Sequence, residues 1–204
     1  FMIVCADFRA AKAAEKILQK GGNAIDAAIA AQNVLSVVEP QSSGIGGGGF
    51  LIYYNKKRNL IEAWDGREFA PSNATPDQFL DKRNKKIPFF EAVTNDTSVG
   101  VPGLYSMLAD IHLVHGVVKW EELFIDAIAY ANSFKVSSRL NKMLGWAKHI
   151  KEDTYAKKIY FYKNSPKKKG DFVNNPELHA SLKILSKDSK SVNTGKISNL
   201  IDKK

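Results

Sequence analysis

One cysteine, Cys5, stands among the 204 residues of this sequence. A single thiol excludes an internal disulfide framework and any zinc site built from several cysteines of the chain. Long apolar runs are lacking as well, because the richest one, residues 24–38, contains Asp26, Gln32 and Asn33. This run is too short and too polar to cross a bilayer, and no charged-then-apolar leader is visible at the N-terminus. We therefore expect no membrane partner.

Arginine is also scarce, since 25 of the 30 basic residues are lysine. The net charge of +9 comes entirely from residues 142–204, which hold 15 lysines, 6 acidic residues and no arginine, whereas residues 1–141 are neutral. Arginine is the side chain best suited to bidentate contacts with phosphates and bases. A lysine-rich stretch without arginine favours a solvated basic face, so we expect no nucleic-acid partner.

Apolar periodicity, glycines and prolines predict a mixed α and β chain. The predicted helices lie at about 10–20, 24–38, 104–116, 119–133, 137–150 and 175–185, and the predicted strands at 1–6, 50–54, 60–65 and 98–101. Asn23 is a good N-cap for the second helix, and Asp26 stands where it can meet free backbone N–H groups. We expect one domain over residues 1–185, followed by a basic, poorly specified C-terminal tail at 186–204.

The densest glycine run, residues 44–49, holds five of the 14 glycines. A phosphate-binding P-loop continues with Lys-Ser or Lys-Thr, but this run continues with Phe50-Leu51. The dinucleotide-binding fingerprint lies between a strand and a helix, whereas this run follows a helix and enters a strand. Close packing of backbone against backbone is therefore the favoured interpretation, and no cofactor is expected.

Arg67 is a candidate binding residue because it stands at the far end of a strongly apolar predicted hairpin. A guanidinium group can hold a carboxylate through two parallel hydrogen bonds. It can equally form a structural ion pair, here with Asp65, Glu68 or a neighbouring segment. The residues alone leave both interpretations open.

The sequence gives little indication of a metal site or of a catalytic residue. His112 and His115 have helical spacing, but no third ligand is evident, so solvated histidines on a helix surface are favoured and no metal site is expected. Cys5 lies in an apolar stretch and is typical of a small hydrophobic residue rather than a nucleophile. No catalytic residue is assigned from the pattern, and composition and spacing name no reaction.

A series of motifs resembles one known family. In chain order they are GGNAIDAA at 21–28, EPQ at 39–41, GIGGGGF at 44–50, DGREFAP at 65–71, SVGVPG at 98–103 and SSRL at 137–140. Their sequence and order, from residue 1 to about 185, resemble the N-terminal part of the large subunit of γ-glutamyltransferases (γ-glutamyltranspeptidases).

The resemblance implies a fold and a reaction. The fold would be α/β (α+β), an incomplete part of the four-layer αββα sandwich of N-terminal-nucleophile hydrolases. Members of the family cut themselves into a large and a small subunit, and the new N-terminal threonine attacks the γ-glutamyl amide of glutathione. The γ-glutamyl group then passes to water, an amino acid or a peptide. By this resemblance Arg67 binds the donor's α-carboxylate, with Glu68 and Asp65 in support.

The nucleophilic threonine and the processing site of the family lie downstream of the matched motifs. No threonine of this sequence stands in a motif that could replace the nucleophile, so we expect the chain alone to be inactive. The expected partners are glutathione, the remainder of the large subunit and the small subunit, and the expected location is periplasmic or exported. The alternative is a degenerate, non-catalytic remnant or an interaction module that uses its basic tail.

Overall fold

The computed structural model describes residues 1–151 and 153–201. In that part of the chain there are ten α-helices: α1 Phe8–Gln19, α2 Ala24–Val38, α3 Phe89–Val93, α4 Leu104–His115, α5 Ile125–Asn132, α6 Ser138–Trp146, α7 Thr154–Tyr160, α8 Pro176–Leu185, α9 Ser191–Thr194 and α10 Lys196–Ile201. Short 3-10 turns cover Asp96–Ser98, Trp120–Phe124 and Lys148–Lys151. None of these helices is both long and apolar enough to span a bilayer.

Six short strands pair into three antiparallel two-stranded sheets in the described residues. They are β1 Gly49–Asn55, β2 Leu60–Gly66, β3 Phe134–Lys135, β4 Phe161–Tyr162, β5 Ser165–Pro166 and β6 Phe172–Val173. The hairpin of β1 and β2 places Gly49 opposite Gly66, while β3 pairs with β6 and β4 with β5. The mixed α and β architecture is the one that the sequence predicts.

The core is centred on α2, which packs against α1, α4 and α5. Its residues Ile29, Val34 and Val38 are fully buried, and α1 presents small side chains such as Ala10 and Ala13 at the contact. Small side chains let neighbouring helices approach closely, so α2 is buried on several sides. Helix α5 in turn packs against α8 and extends the core.

A reciprocal cap begins α2 at Asn23, as predicted. The Asn23 Oδ1 atom accepts hydrogen bonds from the backbone N–H groups of Ile25 (2.8 Å) and Asp26 (3.1 Å). The Asp26 carboxylate accepts one from the Asn23 N–H at 3.0 Å, which completes the capping box. It also accepts from the distant Val117 N–H at 3.3 Å, so this cap ties the start of α2 to the loop after α4.

Three predicted elements differ from the structure. Residues 1–6 form no strand, and the predicted strand at 98–101 is reduced to one bridge between Phe69 and Val101. The β1 strand, predicted to be buried, instead alternates between half-buried and exposed positions. Its Ile52 side chain is 77% exposed because one face of the hairpin has no covering layer in the described residues.

The C-terminal segment is more ordered than the sequence indicates. Residues 191–201 form α9 and α10, where Val192 and Ile197 are buried. The Asn193 side chain donates to the Pro102 carbonyl at 2.6 Å, which attaches α9 to the start of α4. Sparse apolar residues concealed this packing from the sequence pattern. The domain boundary at residue 185 stays a prediction, and residues 202–204 lie outside the described range.

Candidate functional site

Arg67 directly follows β2 and occupies a turn held by two acidic neighbours. The Arg67 N–H donates to Asp65 Oδ1 at 2.8 Å, and the Arg67 Nε atom lies 3.3 Å from Glu68 Oε2. The side chain of Arg67 is 70% exposed, whereas that of Glu68 is 34% exposed. The ion pair engages one edge of the guanidinium group and leaves the group accessible to solvent.

The glycine run packs against this turn. A Cβ atom added at Gly48 would overlap the Glu68 carboxylate and lie 2.8 Å from the Gly66 carbonyl oxygen. A Cβ atom added at Gly103 would overlap the carbonyl oxygens of Arg67 and Gly66. Within the run, Gly48 shows the close packing that the sequence predicts, whereas Gly44 and Gly46 have open space where a Cβ atom would lie.

The backbone of Gly47 connects the glycine run to α4. Its carbonyl oxygen accepts hydrogen bonds from the N–H groups of Gly103 (3.3 Å) and Leu104 (3.1 Å). The first turn of α4 is therefore attached to the same loop that surrounds Glu68. The glycine run, the Arg67 turn and the start of α4 form one packed unit.

Arg67 lines a cleft of about 520 Å³. Other lining residues are Glu68, Phe69, Gln78 and the loop at 97–100. Reciprocal backbone hydrogen bonds between Phe69 and Val101, at 3.2 and 2.8 Å, hold the two sides of this cleft together. The structure thus brings the motifs at 65–71 and 98–103 side by side.

The two histidines of α4 are not solvated, so that prediction is wrong. His115 is 10% exposed, its Nε2 atom lies 2.8 Å from Glu62 Oε2, and its ring contacts that of Tyr53. His112 is 17% exposed, and its Nε2 atom lies 2.8 Å from the Val118 carbonyl oxygen. The end of α4 lies beneath the hairpin and the following loop, which covers both rings. No group of three possible metal-binding His, Cys, Asp or Glu side chains occurs within residues 1–151 and 153–201.

An ion pair with a buried carboxylate, which the sequence does not reveal, lies close to the glycine run. Glu39 is 2% exposed, and its Oε2 atom lies 2.7 Å from Nε of Arg139, a side chain that is 55% exposed. The same oxygen accepts a hydrogen bond from Gln41 Nε2 at 2.6 Å. Burial raises the pKa of Glu39, and the Arg139 charge opposes that rise. The signal available in the sequence was that both residues stand in recognised motifs, EPQ and SSRL.

Comparison with known proteins decides the family. The family model described as gamma-glutamyltranspeptidase matches residues 10–204. The chain belongs to the gamma-glutamyltranspeptidase family. The glutathione hydrolase proenzyme of Bacillus subtilis (strain 168) is 38% identical over 185 residues, which are 90% of this chain and 32% of that protein.

Solved structures of gamma-glutamyltranspeptidases share the fold. The Helicobacter pylori gamma-glutamyltranspeptidase superposes with a TM-score of 0.93 at 30% identity, covering 100% of this chain and 59% of that one. The Bacillus anthracis transpeptidase enzyme CapD gives 0.80 at 28% identity, covering 100% and 64%. The expected fold is confirmed: the chain has the fold of the matching part of the gamma-glutamyltranspeptidases, which is that of N-terminal-nucleophile hydrolases. It spans about a third of the Bacillus subtilis relative.

Proposed function

We propose that this chain provides the donor-carboxylate site of a γ-glutamyl transferase or hydrolase that acts on glutathione. Arg67 carries the proposal, because its accessible guanidinium stands in a cleft at the end of a hairpin within a gamma-glutamyltranspeptidase chain. The activity for which the relatives are named, glutathione hydrolase, supports glutathione as the donor. The guanidinium would hold the α-carboxylate of the γ-glutamyl group through two hydrogen bonds.

Asp65 and Glu68 are the proposed supporting residues. Asp65 accepts a hydrogen bond from the backbone N–H group of Arg67, and the Glu68 carboxylate forms an ion pair on the Nε side of the guanidinium. The glycine packing around Glu68 leaves that carboxylate little room to move. A carboxylate fixed on one edge of the guanidinium orients the opposite edge toward a substrate. Because the Arg67 side chain is already oriented, it loses less conformational entropy when the substrate binds.

The nucleophile of the proposed reaction is an N-terminal threonine that this chain does not provide. Such a threonine uses its own α-amino group as the base. The five threonines of this sequence are all internal, so their nitrogen atoms are amides and cannot accept a proton in this way. Thr94, for example, donates its hydroxyl to the Phe90 carbonyl at 3.0 Å. We therefore propose that the chain alone does not turn over γ-glutamyl amides.

The proposed partners are the remainder of the large subunit and the small subunit, which would supply the nucleophile and the oxyanion donors. The exposed face of the hairpin, with Phe50 at 66% and Ile52 at 77% exposure, supports a further layer of protein on this side. A periplasmic or exported location belongs to the same proposal. Cell fractionation of the source organism, with antibodies against the chain, tests it.

A hybrid enzyme tests the role of Arg67. In this hybrid the chain replaces the segment that it matches in the Bacillus subtilis relative, and release of a chromogenic γ-glutamyl amide is measured. Arg67→Lys retains the charge but loses the planar fork. Because a hydrogen bond to a charged group contributes about 1.5–3 kcal/mol, we expect the donor KM to rise about ten- to a hundredfold.

The matched control is Arg58→Lys, which changes an exposed arginine in the turn of the same hairpin. This control is expected to leave the donor KM unchanged. An unchanged KM in Arg67→Lys would exclude Arg67 as the carboxylate site. Turnover by the isolated 204-residue chain that a threonine substitution abolishes would contradict the proposed absence of a nucleophile.

A further inference from the structure

Helix α9 lies behind the loop that packs against the Arg67 turn. This helix belongs to the C-terminal segment, to which the sequence assigns no defined role. Ser191 is fully buried and Val192 is 3% exposed, so α9 is fixed to the core. Ser191 Oγ also accepts a hydrogen bond from the Ile197 N–H at 3.2 Å, which connects α9 to α10. The short helix therefore holds the backbone of its next residue, Asn193, in place.

The Asn193 side chain connects α9 to the residues around the start of α4. Asn193 Nδ2 donates to the Pro102 carbonyl oxygen at 2.6 Å, and Asn193 Oδ1 accepts from Ser106 Oγ at 2.9 Å. In the described part of the chain, no other hydrogen bond joins residues 191–201 to residues 99–106. One amide group therefore makes the polar connection between these two segments.

A cleft beside Asn193 reduces the other contacts between the two segments. Its volume is about 300 Å³, and it is lined by the loop at 99–102 on one side and by Val192 and Ile201 on the other. Atoms on opposite sides of such a gap do not touch, so van der Waals attraction contributes little there. The position of the loop therefore depends largely on the two hydrogen bonds of Asn193.

The loop that leads into α4 contacts the Arg67 turn at two points. Val101 and Phe69 exchange two backbone hydrogen bonds, at 2.8 and 3.2 Å. Gly103 packs so closely against the carbonyl oxygens of Gly66 and Arg67 that no Cβ atom fits between them. Because these contacts flank Arg67 along the chain, a shift of the loop would move the backbone that carries the guanidinium.

We propose that Asn193 is a positioning residue for the carboxylate site, because its amide holds the loop against which the Arg67 turn packs. This inference rests on the proposed function of Arg67. Asn193 does not line the Arg67 cleft, so it acts on donor binding only through the loop. Loss of its hydrogen bonds lets the guanidinium adopt more orientations, which weakens two-point binding of a carboxylate.

The test measures the donor KM and kcat of the hybrid enzyme that contains this chain. Asn193→Ala removes both hydrogen bonds and should raise the donor KM about two- to tenfold. The kcat should stay the same, because this chain does not provide the nucleophile. Asn199→Ala changes an exposed asparagine on α10 and is the matched control, which should leave both constants unchanged.

A second variant approaches the same contact from α4. Ser106→Ala removes the hydrogen bond to Asn193 Oδ1 and leaves the C-terminal segment unaltered, so it keeps the test valid where Asn193→Ala unfolds α9. It should also raise the donor KM without changing kcat. A fall in kcat at unchanged KM in both variants would overturn the positioning role.

A double variant separates this inference from the proposed function. If Asn193 acts through Arg67, adding Asn193→Ala to Arg67→Lys should not raise the donor KM further. An equal rise of KM in both backgrounds would overturn the inference. An unchanged KM in Asn193→Ala and Ser106→Ala, with a raised KM in Arg67→Lys, would overturn the inference alone. An unchanged KM in Arg67→Lys would contradict the proposed function and this inference with it.

Discussion

His115 and Glu62 form a largely buried polar pair that connects α4 to the hairpin of β1 and β2. The His115 Nε2 atom lies 2.8 Å from Glu62 Oε2, and the two side chains are 10% and 16% exposed. Trp64 Nε1 donates to the same oxygen at 3.3 Å. The hairpin that ends at Arg67 is therefore anchored on α4 by a polar contact whose strength depends on protonation.

This pair predicts an acid-dependent loss of stability. Hydrogen bonding to His115 lowers the pKa of Glu62 from its ordinary value of 4.5. A carboxyl group with a lower pKa in the folded chain stabilises the fold above pH 4.5, and this stabilisation is lost as the pH falls through the lowered pKa. Urea unfolding of Glu62→Gln should accordingly depend less on pH between about 5 and 3 than unfolding of the original chain.

Glu91→Gln is the control for this measurement, because Glu91 is an exposed glutamate on α3. It should retain the original pH dependence. An identical pH dependence in Glu62→Gln and the original chain would show that the pair does not stabilise the fold.

The buried pair of Asp7 and Arg9 predicts a large effect of mutation. Arg9 Nε donates to Asp7 Oδ1 at 2.8 Å, and Arg9 Nη2 donates to Asp7 Oδ2 at 2.7 Å. The arginine side chain is 7% exposed and the aspartate side chain 4%. Asp7→Asn leaves a buried guanidinium without its counter-charge and should lower the free energy of unfolding by about 3–5 kcal/mol.

The exposed pair of Lys16 and Asp126 provides the matched control for that variant. Its distance is equally short at 2.7 Å, but the lysine side chain is 59% exposed. Asp126→Asn should therefore change the free energy of unfolding by about 1 kcal/mol or less. If urea unfolding shows that Asp7→Asn and Asp126→Asn lower the free energy of unfolding equally, burial does not determine how much these ion pairs stabilise the fold.

Packing of the glycine run predicts a position-specific effect of alanine. Gly48→Ala would place a methyl group against the Glu68 carboxylate and the Gly66 carbonyl. Overpacking of this kind destabilises proteins by about 1–3 kcal/mol, so the melting temperature should fall. Gly46→Ala meets open space and should leave the melting temperature nearly unchanged. Equal melting temperatures of the two variants would contradict the packing.

The exposed hairpin face predicts self-association of the chain. Phe50, Ile52 and Ile61 are 66%, 77% and 68% exposed and form one apolar surface. Ile52→Thr retains a β-branched residue and should lower the apparent mass in light scattering without lowering stability. Leu113→Thr, which changes a residue that is 84% exposed on α4, should not lower that mass. An unchanged mass in Ile52→Thr would exclude this face as the cause of association.

Local features of the fold were predictable because they depend on residues close in the sequence. The cap of Asn23 and Asp26 acts over three positions, and the β1–β2 hairpin connects two apolar runs through a short turn. The resemblance carried by residues 21–28, 44–50 and 65–71 predicted the family and the fold. The role of Arg67 stays a prediction, since the structure shows its accessibility and not its ligand.

The sequence by itself determined the longer helices α1, α2, α4, α5, α6 and α8, the hairpin and membership in the family, because periodicity, caps and motifs are local. Tertiary structure alone decided which distant residues meet: Glu39 with Arg139, Glu62 with His115, and Phe69 with Val101. It also decided that His115 is covered and that Ile52 is exposed. The physical reason is that such contacts depend on how helices and loops pack in three dimensions, and no pattern within a short window of sequence records that packing.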